Sequence, residues 1–166
     1  HIKNTQRKLN KFSHLKPDPN ITEKKYNELM TELEKLKKIF RPPAIKEVKR
    51  LALMGDFSEN AAYQIAKGRL RGINKRIDDI EDHLKRANVI KTNKSDQVEL
   101  GSTVTILIDN KEKTYTILGS SETDPSKNVI SHNSPIGQAI MHKKKNDIIE
   151  FKISGNTKTI KILNIK

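Results

Sequence analysis

Residues 55–63 read Gly-Asp-Phe-Ser-Glu-Asn-Ala-Ala-Tyr and set two carboxylates, Asp56 and Glu59, three positions apart in a turn. Two chemistries suit that spacing. At a helix start, Asp56 would be the N-cap and Glu59 its reciprocal acceptor in a capping box. Alternatively, carboxylates of this kind, ionised at neutral pH, offer the hard oxygens that a divalent cation takes. Magnesium wants six oxygens in an octahedron and borrows phosphate oxygens and water to complete them, so Asp56 and Glu59 make half a site. The other half would belong to a second macromolecule that already holds phosphates and a first metal, as in two-metal phosphoryl chemistry.

The elements around the turn are written to carry it. Thr22 can cap a helix, Glu23 suits the positive end of its dipole, and Ile21 can staple onto Tyr26. Apolar residues then recur at Tyr26, Leu29, Leu33, Leu36 and Phe40, alternating steps of three and four as in a coiled-coil seam. Pro42 and Pro43 each delete a ladder hydrogen bond, which predicts a kink or short break before the helix resumes through Ile45, Val48 and Ala52. Gly55 ends it, and a second seam follows at Tyr63, Ala66, Leu70, Ile73, Ile77, Ile80, Leu84 and Ala87. Two seams around a tight turn predict an antiparallel helical hairpin over 21–90, with arms of roughly 48 Å at 1.5 Å per residue. A rod this long is built to reach something.

Beyond residue 90 the period changes to two and β-branched residues accumulate. Residues 103–108 and 113–118 read as strands around 109–112, and 129–131 as a shorter strand. Ser134-Pro135 opens a short helix through Ile140, and residues 147–153 and 158–165 form a closing hairpin around 154–157. The fold class is α+β, a long helical hairpin followed by a small, mainly antiparallel β domain over 91–166 with one short helix. Residues 1–20 are polar and end in Lys16-Pro17-Asp18-Pro19-Asn20, which reads as a linker or the remnant of a longer chain.

Composition narrows the chemistry further. With no cysteine, disulfides, thiolate zinc sites, iron–sulfur clusters and cysteine nucleophiles are excluded. The 166 residues are 34% apolar and 32% charged, which leaves only a thin core and favours an elongated or two-lobed chain. No apolar run approaches the roughly 18 residues of a membrane span, so the reading is a cytoplasmic protein without a membrane partner. A net charge of +13 favours a polyanionic partner, against the blander reading of a generally lysine-rich composition.

The turn with Ala66-Lys67 resembles the signature of the bacterial GreA/GreB transcript cleavage factors, usually Gly-Asp-Leu-Ser/Lys-Glu-Asn-Ala-Glu-Tyr. Residues 22–36 with Arg41-Pro42 are similar to the family's first helix, and residues 76–90 to the end of its second. Residues 101–104, 115–117 and 130–136 resemble its C-terminal domain, which is FKBP-like. The resemblance covers 21–166. It implies a transcription elongation factor whose hairpin enters the secondary channel of a backtracked RNA polymerase. There Asp56 and Glu59 would share a magnesium ion with the polymerase, so that the polymerase's own active site cuts the nascent RNA near its 3′ end. The protein would not be an enzyme by itself, and the isolated chain would hold no metal. RNA polymerase, nascent RNA and the DNA of the elongation complex are the implied partners.

Lys67 falls where the family places a basic residue facing the RNA. Ala52 replaces a frequent Arg of the family's basic patch, with Lys49 and Arg50 beside it as substitutes. Phe57 stands for the usual Leu and Ala62 for a second Glu, which leaves the acidic pair intact, and Ala62 with Ala52 motivates a competing reading. In that reading the chain occupies the polymerase and inhibits or modulates it without promoting cleavage. The five histidines show no metal-ligand spacing. Residues 91–166 hold only Tyr115 and Phe151 as aromatics, too few for an apolar prolyl pocket.

Overall fold

The computed structural model describes residues 16–54, 60–91 and 95–166. The chain divides into two compact units, one of residues 22–89 and one that joins the stretch up to residue 21 with residues 90–166.

The first unit is a helical hairpin. Helix α1 (Glu23–Lys35) is capped by Thr22, whose hydroxyl accepts from the Lys25 N–H at 3.1 Å, as the sequence predicts. It does not break at the prolines. Residues Leu36–Phe40 form a π turn, in which the Arg41 N–H bonds five residues back to the Leu36 carbonyl, and α2 (Arg41–Ala52) continues directly. The prolines are the second and third residues of α2 and have no N–H to donate back to the preceding turn. A π turn inserts one extra residue, which shifts the phase of the seam. The sequence resumes the seam at Ile45, Val48 and Ala52, which are half-buried; the residues buried in α2 are instead Ala44 and Leu51, and Phe40 is 52% exposed. Helix α3 (Ala61–Arg86) follows its predicted seam, with Ala66, Ile77 and Ile80 buried and none of the eight positions exposed. His83 is buried beside the seam as well. Arg76 ties α3 to α1 by a forked pair with Glu32, at 2.7 and 2.9 Å, which holds the Glu32 carboxyl below the usual range.

Gly68 and Gly72 lie mid-helix in α3, on the surface, and a Cβ at either would meet nothing within 4 Å. Glycine there costs about 1 kcal/mol relative to alanine. Gly68→Ala and Gly72→Ala should therefore each stabilise the chain by about 0.5–1 kcal/mol in urea melts.

The second unit is a five-stranded sheet. Its strands are β1 (Thr103–Ile108), β2 (Lys111–Leu118), β3 (Val129–Ser131), β4 (Ile148–Ile153) and β5 (Asn156–Ile165), in the order β3-β2-β1-β5-β4. Its one α-helix among the described residues, α4 (Pro135–Ile140), is capped by Ser134. The alternation of β1 buries Val104, Ile106 and Ile108, which pack with Val98, Ile117, Ile140, Ile160 and Ile162. Both hairpin turns are tighter than the sequence suggests. Asp109-Asn110 and Ser154-Gly155 hold positive φ at both central positions, the primed geometry that matches strand twist. The sheet is also not wholly antiparallel, because β3 pairs with β2 in parallel. The chain reaches that edge through two 3-10 turns, at Ser120–Glu122 and Pro125–Lys127.

Residues 16–20 do more than link. Asp18 accepts hydrogen bonds from the Asn20 and Ser120 N–H groups, both at 2.9 Å, from the Ser120 hydroxyl and Asn20 amide, and from His132 Nε2 at 3.2 Å. Ile21 is fully buried, and its carbonyl accepts from the Ile90 N–H at 2.8 Å.

Candidate functional site at the hairpin turn

Asp56 and Glu59 lie outside the described residues, with Gly55, Phe57 and Ser58. The structure describes both shoulders of the turn. Helix α2 ends at Ala52, and the Met54 N–H closes back onto the Leu51 carbonyl at 3.2 Å. On the other side Asn60 leaves helical geometry, with φ −88° and ψ 90°, and its Oδ1 accepts from the Tyr63 N–H at 3.0 Å. Asn60 is therefore the N-cap of α3. The capping box read from the sequence put Asp56 in that role, four residues too early. The N3 position of the observed cap is Tyr63, which has no carboxylate to reciprocate.

Asn60→Ala should cost about 1 kcal/mol, as cap losses do, and Asn60→Asp should restore it because the anion faces the positive helix end. Thermal melts of the two variants test this.

The basic residues expected near the turn are placed as follows. Arg50 forks the Glu47 carboxylate, Nε to Oε2 at 2.9 Å and Nη2 to Oε1 at 2.7 Å. That fork holds the Glu47 carboxyl below its usual range and raises the Arg50 guanidinium. Lys67 sits 5.6 Å from the centroid of the Tyr63 ring, a cation–π distance. Lys49 is exposed and makes no ion pair among the described residues. Sequence reading missed two neighbours of the turn, Leu53 and Met54, which are 88% and 66% exposed. Two apolar residues running off the end of a helix just before a glycine were the available signal.

Among the described residues no group of three or more His, Asp or Glu side chains could hold a metal ion. Nor is any described helix long and apolar enough to cross a membrane.

Comparison with known proteins identifies the family. Residues 20–89 match the model of the transcription elongation factor N-terminal domain, and residues 92–166 that of the GreA/GreB C-terminal domain. The chain belongs to the GreA/GreB family of transcription elongation factors. It is 40% identical over 151 residues to transcription elongation factor GreA of Mycoplasma mycoides subsp. mycoides SC, a match covering 88% of this chain and 96% of that one. It is also 40% identical over 144 residues to GreA of Helicobacter pylori strain Shi470, covering 84% and 88%. Among solved structures it is similar to GreA/GreB from Nitrosomonas europaea, at 24% identity and a TM-score of 0.39, covering 72% and 92%. It is similar too to GreA factor homolog 1 (Gfh1) of Thermus thermophilus, at 23% and 0.38, covering 85% and 94%.

Proposed function

We propose that the helical hairpin enters the secondary channel of a backtracked RNA polymerase and delivers Asp56 and Glu59 to the polymerase's active site, where the nascent RNA is cut near its 3′ end. The new 3′-hydroxyl lets an arrested complex resume. In this reading the chain works in the cytoplasm and stimulates an activity that belongs to the polymerase. The observation that carries it is Asn60. Because Asn60 caps α3, the acids of the turn are not needed to hold that helix start, and the family resemblance gives them another task.

The donor set fits magnesium by type, since both side chains offer hard anionic oxygens. Asp56 and Glu59 would hold the ion jointly with the polymerase, and when bound it supplies Lewis-acid activation of water for attack on a phosphodiester. Lys49 and Lys67 would meet RNA phosphates, and Arg50 would do so by exchanging its fork with Glu47. The DNA of the elongation complex is a further polyanion within this reading.

The direct test adds the chain with Mg²⁺ to a stalled, backtracked elongation complex. Shortened RNA is expected. Slower nucleotide addition without shortened RNA would replace this reading with that of a polymerase-binding inhibitor.

A further inference from the structure

Besides Leu53, Met54 and Ile65 near the turn, the hairpin leaves apolar surface uncovered midway along its length. Where the π turn meets the prolines, a cleft of about 400 Å³ opens between α2 and α3, lined by Phe40, Pro43, Ala44, Ala66, Arg69 and Ile73. Its cause is local. The extra residue of the π turn rolls Phe40 out of the seam, and the side chains that turn inward next to it, Ala44 and Ala66, are too small to fill the space. Phe40 and its neighbour Ile39 stay 52% and 59% exposed. Glu47 also lines the cleft, but both arms of Arg50 already hold its carboxylate. Arg69 is exposed and makes no ion pair within 4 Å among the described residues, although its charge also acts on the Glu47 carboxylate.

We propose that this cleft receives an apolar side chain of RNA polymerase presented next to a carboxylate, with the apolar group against Phe40 and the carboxylate on Arg69. The inference rests on the polymerase-binding reading above. Charge selects the occupant. A second copy of this chain would bring a net charge of +13 against a chain of the same charge. A nucleic-acid strand would press phosphates against apolar walls, at the cost of desolvating charge without pairing it. An acidic protein segment with an exposed aliphatic or aromatic residue satisfies both the walls and Arg69.

The test uses the full chain and RNA polymerase. A photo-crosslinking phenylalanine analogue at position 40 should crosslink to a polymerase subunit in the backtracked complex. Crosslinks to RNA or to a second copy of the chain would overturn the proposal. Arg69→Glu and Phe40→Ala should each weaken polymerase binding by about tenfold, the loss typical of a central interface anchor. The concentration giving half-maximal cleavage should rise by the same factor, with cleavage at saturation unchanged. Arg69 is a surface residue, so its variant stays folded even if Phe40→Ala loosens the hairpin. Parent-like binding by Arg69→Glu overturns the cleft while leaving polymerase binding standing. A parent chain that fails to bind polymerase overturns both.

Discussion

Replacing Asp56 by Asn and Glu59 by Gln should abolish shortened RNA in the backtracked-complex assay, a fall of at least about 100-fold, while polymerase binding stays within about twofold. The magnitude follows from what the amides lose. They keep the size and hydrogen-bonding reach of the acids but carry no anionic oxygen, and a shared metal contributes several kcal/mol of charge stabilisation, each ~1.4 kcal/mol being tenfold in rate. In the proposed reading the arms of the hairpin, not the two acids, would supply the binding area, so binding is spared. The single variant Asp56→Asn should retain some cleavage and need more Mg²⁺ for half-maximal activity. A structural explanation of the same loss is separable. Since Asn60 caps α3 through Tyr63, neither substitution removes the α3 cap, and melting of the double variant should match the parent within about 0.5 kcal/mol. A double variant that cleaves like the parent would end the metal-sharing reading.

The features legible in the sequence and those hidden from it divide along the range of the forces involved. Thr22 and Ser134 cap their helices as their types and positions indicate, because a cap is settled within four residues. The α3 seam and the inward alternation of Val104, Ile106 and Ile108 were legible for the same reason, a period repeated along one element. The phase of α2 was not. The sequence resumes the seam at Ile45, Val48 and Ala52 after the prolines, but with a π turn ahead of them the buried residues of α2 are Ala44 and Leu51. Asn60 was masked by an Asp and a Glu at ideal capping-box spacing, although its own side chain reaches the Tyr63 N–H. The parallel pairing of β3 depends on two 3-10 turns with no periodicity to reveal them. Asp18 was hidden most deeply, because its partners Ser120 and His132 lie more than 100 residues away.

That separation makes Asp18→Ala the substitution with the largest expected effect on stability, about 2–4 kcal/mol. The carboxylate is only 6% exposed and gathers five donors from the three residues Asn20, Ser120 and His132. Burial by itself would raise its pKa, but the Ser120 and Asn20 N–H groups, with the His132 and Asn20 side chains, outweigh that and hold it at about 2. Such an anion can only accept, so His132 Nε2 must carry the proton it shares. A carboxyl depressed from 3.8 to about 2 stabilises the fold fully above pH 4, and that contribution, about 2 kcal/mol, is lost as pH falls from about 4 to 2. The parent should therefore lose stability steeply across that window, and Asp18→Asn should flatten that slope. An independent substitution reaches the same contact from the other side. A Cβ on Gly119 would clash with the Asn20 carbonyl and stand 3.1 Å from Asp18 Cγ, so Gly119→Ala must push residues 18–20 away. If the knot anchors this segment, both Asp18→Ala and Gly119→Ala should speed hydrogen exchange at the Ile90 N–H, whose acceptor is Ile21. Unchanged exchange there in both variants would mean that the burial of Ile21 holds the segment without Asp18.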